Sequence, residues 1–554
     1  MKRVLFTYTL LFGLILFFGC KTDTDQDKIS KSDIASAEKL IGLSFSESER
    51  DTMLDDLTSQ KKNLQEIRSW ELQNSTAPAI SFNPKPGWLQ INKSQKKNKW
   101  IVPTNIQRPE KDSDLAFMPV AELAYLIQSG QVTSVELTKI YLDRLKTYGD
   151  TLHCVITLTE DLAMQQAKKA DEDLEKGIYH GPLHGIPYGL KDLLVVEGYK
   201  TTWGAEPYKS QELKGSATVY ERLRDHGAIL VAKLSMGALA MGDIWYKDTT
   251  RNPWDLQQGS SGSSAGSASA TSAGLVGFSI GTETYGSIVS PSTRCGVTGL
   301  RPTFGRVSRA GAMALSWTMD KIGPICRSAN GCAMVFDAIY GPDNIDRTVT
   351  DYPFHYDATK NVQELKVAYL KELFQEDYPG KENDSLTLDK LREMGIEMKP
   401  VKLPSEVPVS PLLTILNAES AAAFDALTRS GKDDQLVQQH SNAWPNIFRT
   451  ARFIPAAEYI NANRIRTLLI DNLNQWMKDY DVVVTPSFGG NQLLMTNLTG
   501  HPCVVVPNGF DEDNHPTSIS FIGNLYDEGT LLEFAHHYQS QTSHDDQKPP
   551  LFTE

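Results

Sequence analysis

The sequence predicts an α/β fold, and three observations predict it. Short apolar runs at Ala228–Ala232, Leu275–Ile280, Val482–Val484 and Val504–Val506 are separated by stretches with helical spacing. That alternation is how strands laid between helices read in sequence. Thr133-Ser134-Val135-Glu136 has the form of a capping box, and Leu137, Ile140, Tyr141 and Leu145 then fall on one helix face. No segment recurs at a fixed period, so a repeat array is excluded.

Taken from the N-terminus, the first element is not part of the fold. Lys2 and Arg3 precede an apolar run from Val4 to Phe18, closed by Gly19-Cys20 and a polar stretch from Lys21. A basic head, a short apolar core and a small residue at its end predict a signal peptide over 1–19. The run is short of the ~20 apolar residues a membrane span needs. Gly19-Cys20 resembles a bacterial lipobox, although Phe17 stands where that pattern usually has Leu. The alternative is an ordinary secretory signal with an incidental cysteine. The cysteine falls where the apolar run ends, which favours lipidation at Cys20. The expectation is an extracytoplasmic, membrane-anchored bacterial lipoprotein, periplasmic or at the cell surface.

Residues 20–114 read as a tether and helical N-terminal extension. The polar stretch 21–34 is a flexible tether, and Ile34 to Trp70 has the spacing of one or two surface helices. Asn74 to Asp114 carries prolines and the cluster Lys93, Lys96, Lys97 and Lys99, and reads as a solvated linker. One large catalytic domain over 115–540 and a C-terminal tail over 541–554 complete the chain. A hydrophobic content of 40% with 22% charged residues belongs to a globular protein, not a disordered one. The net charge of −13 argues against a nucleic-acid partner, which needs a basic face. Cys154, Cys295, Cys326, Cys332 and Cys503 show no metal-like spacing and read as small core residues. A Cys326–Cys332 bridge stays open, and no metal or cofactor is expected.

The chemistry lies in three ordered blocks. Gly181-Pro182-Leu183-His184-Gly185-Ile186-Pro187 leads to Lys191-Asp192; Gly259 to Gly274 reads GSSGSSAGSASATSAG; Gly281-Thr282-Glu283-Thr284-Tyr285-Gly286-Ser287-Ile288 follows. The second block alone resembles a Gly/Ser linker, but from Ser264 it turns Ala-rich, as a helix packed close to its neighbours would be. Together the blocks resemble the amidase-signature family. Further agreement runs through Cys295-Gly296, Gly299 to Thr303, Gly305 to Ser308, Asp320 with Gly323-Pro324, and Asn497 to Pro502. One block is weak evidence; the ordered set, from about 180 to 510, is specific.

The resemblance implies an amidase-signature fold: a central mixed β-sheet covered by helices on both faces. It implies a triad of Lys191, Ser263 and Ser287, with a cis Gly262–Ser263 peptide and Ser264 supporting it. Ser287 would be the nucleophile, Ser263 the proton relay and a neutral Lys191 the base. A serine hydroxyl needs such a base, and burial lowers a lysine pKa enough to supply one. Backbone N–H groups of Thr284, Tyr285, Gly286 and Ser287 would form the oxyanion hole. The chain departs from the family at Ser261 and Tyr285, where glycine is usual, and at Val289, where many members have arginine. The supporting ion pair is then either missing or supplied by Arg294 instead.

Gly277-Phe278-Ser279-Ile280-Gly281 also matches a G-x-S-x-G elbow, but Ser279 lies inside an apolar run and reads as a buried strand serine. Ser94-Gln95-Lys96-Lys97 fits S-x-x-K only within the lysine-rich linker. The Gly-rich stretch lacks the G-K-[ST] of a P-loop, and His184 and His501 have no acid spaced for a metal site. The expected activity is hydrolysis of a carboxamide through an acyl-enzyme on Ser287, on a small-molecule or peptide amide. The alternatives are a component of a tRNA-dependent amidotransferase, and an inactive binding lipoprotein on the same scaffold. Tyr285, the segment Ser316–Met319 with Trp317, and the loops near Asn491 are expected to line the pocket.

Overall fold

The computed structural model describes residues 29–69, 72–76, 80–94 and 96–553. The segment 1–19, Cys20 and the start of the tether lie outside them. The chain forms two compact units, Met1–Leu72 and Gln73–Glu554. Among the described residues no helix is long and apolar enough to cross a membrane.

The described residues of the first unit hold two helices, Lys31–Ile41 and Glu47–Ser69. Ser30 opens the first by accepting the Asp33 N–H at 3.3 Å while its own N–H donates to Asp33 Oδ2 at 2.9 Å. Gly42, at φ +69°, closes it. Arg50 then ties the helices together, donating from Nε and Nη2 to the two oxygens of Glu38 at 2.8 Å each.

The second unit is built on one large sheet. Its strands, in chain order, are β1 Val155–Leu158, β2 Pro187–Lys191 and β3 Ile229–Leu234; β4 Arg251–Asn252 and β5 Asp255–Gly259, which form a separate hairpin; then β6 Phe278–Glu283, β7 Thr298–Arg301 and β8 Lys321–Cys326. β9 Val367–Leu370, β10 Met398–Val401, β11 Val482–Pro486, β12 Cys503–Phe510 and β13 Pro516–Gly523 follow. The spatial order is β1-β3-β2-β6-β8-β7-β12-β13-β11-β9-β10. The β3-β2-β6 and β11-β9-β10 runs are parallel, and the middle of the sheet is antiparallel. Every residue of β2, β3, β6, β7, β8, β11 and β13 is buried. Since alternate side chains point to opposite faces, both faces are covered, as the fold class requires.

The predicted helix after Thr133 runs Ser134–Leu152, with Leu137, Tyr141 and Leu145 buried. Thr133 Oγ1 accepts the Glu136 N–H at 3.0 Å, but the Glu136 carboxylate turns away to Arg108 at 2.7 Å. The Ala-rich stretch forms the fully buried helix Ala265–Ser272 against β6 and β2. Small residues are needed there: a Cβ on Gly266 would lie 2.5 Å from the Cys154 carbonyl oxygen.

Two stretches read as peripheral are packed onto this unit. In the expected linker, Phe82 meets Phe304 edge-on at 4.9 Å with the Arg466 guanidinium 3.6 Å over its ring. Trp100 stacks on Tyr356 at 5.3 Å, and Asn98 donates to Asp337 at 2.8 Å. Lys99 pairs with Asp357 at 2.6 Å. Aromatic anchors decide the outcome, and lysines and prolines dominate the composition between them. In the tail, Phe552 is buried against Tyr148, and Arg144 donates to the Phe552 carbonyl at 2.6 Å. Cys154, Cys295, Cys326, Cys332 and Cys503 are buried free thiols, so Cys326 and Cys332 are not bridged.

Candidate active site

β2 and β6 are parallel neighbours, with Tyr188 opposite Phe278 and Leu190 opposite Ile280. Their C-terminal ends therefore leave the sheet at one edge, where α/β sheets place ligands. β2 delivers Lys191 there, and β6 delivers Thr282 and Glu283 followed by the Thr284–Ser287 turn.

Lys191 is fully buried. Its Nζ lies within hydrogen-bond distance of Ser263 Oγ at 2.8 Å, Thr282 Oγ1 at 2.9 Å, Ser264 Oγ at 3.1 Å and the Thr282 carbonyl at 3.5 Å. All of these are neutral groups, and no carboxylate among the described residues bonds the amine. Burial therefore drives its pKa well below the ordinary lysine value, with Asp320 and Glu283 only partly opposing the fall. Ser264 Oγ also accepts the Thr282 N–H and donates to the Thr282 carbonyl, both at 3.1 Å, which fixes the two blocks against each other.

The Gly262–Ser263 peptide is cis. A Cβ at Gly262 would fall 1.9 Å from the Gly242 carbonyl oxygen, so only glycine fits. Ser261 adopts φ +58°, a conformation that favours the glycine usual at this position. Asp243 accepts its N–H at 2.8 Å and Ser290 Oγ meets its hydroxyl at 2.7 Å, which holds it there.

Ser287 joins this cluster through its backbone: the Ser264 N–H donates to the Ser287 carbonyl at 3.2 Å. Its side chain is near the surface of the site, 8% exposed, and its hydroxyl has no hydrogen-bond partner among the described residues. Gly286 precedes it at φ +86°. The N–H groups of Tyr285, Gly286 and Ser287 likewise have no acceptor among the described residues, while the Thr284 hydroxyl donates to Asp320 Oδ1 at 2.6 Å.

A second buried network, to which sequence reasoning assigned no role, braces the turn. Glu283 Oε2 accepts the Ile288 and Val289 N–H groups at 2.8 and 3.0 Å. Its Oε1 accepts from Arg301 at 2.9 Å and Asn497 at 2.8 Å. Burial would raise the Glu283 pKa, but Arg301 and the backbone donors outweigh it and hold the carboxyl down at about 2. Arg301 also reaches Thr496 Oγ1 and the His501 carbonyl. The supporting cation is thus Arg301. Arg294 instead donates to Gln258 at 3.0 Å, so it does not replace the arginine absent at Val289. The signal was present, since Glu283, Arg301 and Asn497 all lie in the quoted blocks, but nothing in their spacing pairs them.

Ser279 is a buried strand serine that donates to the Ser267 carbonyl at 2.8 Å. His184 bonds the Ala170 carbonyl and His501 bonds Thr499 Oγ1, each at 2.9 Å. Among the described residues no group of three or more His, Cys, Asp or Glu side chains could hold a metal.

A cavity of about 640 Å³ adjoins this edge, lined by Thr282, Thr284, Trp317, Asp320 and Lys321 among others. Trp317 is where it was expected. Tyr285, 43% exposed, and Asn491 are not among the lining residues. Asn74, Ser75, Ile80 and Ser81 form part of the wall. Asn74 is clamped there, accepting the Ala314 N–H at 2.7 Å and donating to the Ala314 carbonyl at 2.9 Å.

The chain matches the Amidase family over residues 136–493. It belongs to that family. It is 33% identical over 481 residues to one of the subunits of the glutamyl-tRNA(Gln) amidotransferase of Coxiella burnetii, covering 78% of this chain and 99% of the relative. The corresponding protein of Bacillus velezensis is equally similar, at 33% over 480 residues. Among solved structures, the native peptide amidase of Stenotrophomonas maltophilia is 27% identical with a TM-score of 0.68, covering 78% of this chain and 98% of that one. An amidase family protein from Bacillus anthracis gives 25% and 0.70, covering 79% and 93%. The amidase-signature fold read from the three blocks is therefore the fold of this chain.

Proposed function

We propose that this amidase-family protein hydrolyses a carboxamide through an acyl-enzyme on Ser287, with no metal or cofactor. The observation that carries this is the Lys191 amine, buried among hydroxyls with no carboxylate and pressed against Ser263. Such an amine is held neutral and has a lone pair to accept a proton. Ser263 Oγ passes its proton to Lys191 and takes one from Ser287, whose oxygen attacks the amide carbon. The C–N bond then breaks, the leaving nitrogen receives the proton back through Ser263, and water cleaves the Ser287 ester by the same relay. The relay closes when the unengaged Ser287 hydroxyl turns to Ser263; such contacts often tighten only around substrate. The N–H groups of Tyr285, Gly286 and Ser287 are available to the oxyanion, a single such donor being worth about 10²–10³ in rate. Tyr285 in place of glycine leaves its N–H free for this. The test is mass-spectrometric labelling with a fluorophosphonate, together with a screen of primary carboxamides, peptide amides and acylamines. Label on Ser287 with amide turnover supports the reading; a protein inert to both is a binding scaffold.

The 33% likeness to amidotransferase subunits favours a second reading, in which the same site releases ammonia from glutamine inside a complex. Glutaminase activity that appears only with co-purifying subunits would establish it. We also propose that Cys20 carries lipid and anchors the protein outside the cytoplasm, from the Gly19-Cys20 junction at the end of the apolar run. Palmitate labelling with fractionation tests this, and soluble, unlabelled protein that retains residues 1–19 contradicts it.

A further inference from the structure

The cavity beside the triad has donors to spare and no carboxylate to spare. Lys321 lines it from the start of β8, 2% exposed, and among the described residues its Nζ donates only to the Met319 carbonyl. The nearby carboxylates are committed elsewhere. Asp320 accepts from Thr284 Oγ1 and from the Leu315 and Ser316 N–H groups at 2.8 and 3.0 Å, and Glu283 is filled as described above. Asp346, also in the lining, accepts from Arg309 N and Nε at 3.0 and 2.9 Å and from Thr348 Oγ1 at 2.7 Å. The Trp317 indole N–H is buried without a partner among the described residues. Arg347, in the same lining, has no ion-pair or hydrogen-bond partner among the described residues.

Buried donors are normally satisfied, and those left over mark what a ligand brings. Here the under-satisfied buried groups are an amine and an indole N–H, and the exposed guanidinium of Arg347 stands at the rim. We propose that the amide substrate carries a carboxylate, which Lys321 and Trp317 hold in this cavity with Arg347 alongside. This rests on the amide-hydrolase reading and names the substrate class for it. Burial, with Arg301, outweighs the opposing pull of Glu283 and Asp320 and disfavours the charged form of Lys321; an entering carboxylate adds to that opposing pull, so substrate and proton bind together. The carboxylate can sit on the acyl side, as in the monoamide of a dicarboxylic acid, or on the amine side, as in an N-acyl amino acid.

The experiment compares each of these, glutaramic acid and an N-acylglycine, with its own methyl ester, reading kcat and KM separately for wild type, Lys321→Met and Lys321→Gln. Fluorophosphonate labelling of Ser287 is followed in parallel. The expected result is a preference of about tenfold or more for the free carboxylate in one pair, carried by KM, as a charge-assisted hydrogen bond supplies. Both variants reduce that preference to near unity while Ser287 still labels, which shows the variants folded. Which pair shows the preference assigns the carboxylate to the acyl or the amine side. No preference in wild type with Ser287 labelled, or a preference untouched in both variants, overturns the inference and leaves the hydrolase reading standing. Ser287 unlabelled with no turnover overturns the hydrolase reading and this inference with it.

Discussion

Lys191 closes β2 and Lys233 is the penultimate residue of its parallel neighbour β3; both are fully buried, yet their surroundings separate them completely. In the β2–β3 register Leu190 lies opposite Lys233 and Lys191 opposite Leu234, so the two side chains enter different layers. Lys233 finds Asp192 at 2.7 Å, with the Lys200 carbonyl and Thr201 Oγ1 at 2.6 Å each. Burial pulls its pKa down and Asp192 pulls it back. Lys191 finds hydroxyls and a carbonyl, and Asp320 and Glu283, which do not bond it, oppose its neutralisation only in part. A buried lysine with a carboxylate is a fastening; one with hydroxyls alone is a base. The bonded partner, not the depth of burial, makes the difference.

The comparison breaks most visibly at its reactive end. Ser287→Ala should lower turnover by about 10⁴-fold or more and abolish fluorophosphonate labelling, with an unchanged thermal midpoint. Next, Lys233→Met should strand Asp192 in the core and cost about 3–5 kcal/mol in denaturant unfolding.

Lys191→Met should do the reverse, removing activity without removing stability. A lysine whose folded pKa lies below its unfolded value binds fewer protons when folded. It therefore weakens the fold at neutral pH, and this loss fades as pH rises toward the unfolded value of about 10.4. Lys191→Met should unfold at no lower denaturant concentration than wild type at pH 7, and any advantage should shrink by pH 10. Ser263→Ala should lose about 10²–10⁴-fold in kcat/KM and keep residual activity, because water can bridge Lys191 to Ser287. Ser279→Ala is the smallest change. It loses two buried hydrogen bonds, to the Ser267 carbonyl and the Thr271 hydroxyl, at a cost of about 1–3 kcal/mol in stability, and should leave the kinetics within a factor of about two.

What was legible in the sequence follows the same division between local and distant. Lys191, Ser263 and Ser287 stood in blocks whose order could be read along the chain. Ser279 was separable from Ser287 because an apolar run and a turn differ over a few residues. The bracing of the site was not legible: Glu283 meets Asn497 across 214 residues. Phe82 and Arg466 also come from opposite ends of the chain, so no periodicity could join them. Asn74 was hidden for another reason. Its stretch is polar and proline-containing, and its order comes from partners at Ala314 that only the fold brings near.

The account rests on Lys191 acting as a neutral base, and the most direct measurement is kcat/KM against pH for wild type beside Lys191→Arg. The wild-type profile should fall on the acid side, with a midpoint well below about 10.4, as the amine takes up a proton. Lys191→Arg should be as inactive as Lys191→Ala at every pH, because a guanidinium keeps the charge but does not release its proton near neutrality. A Lys191→Arg enzyme with near-wild-type activity would show that the lysine supplies only charge, and would contradict the relay through Ser263.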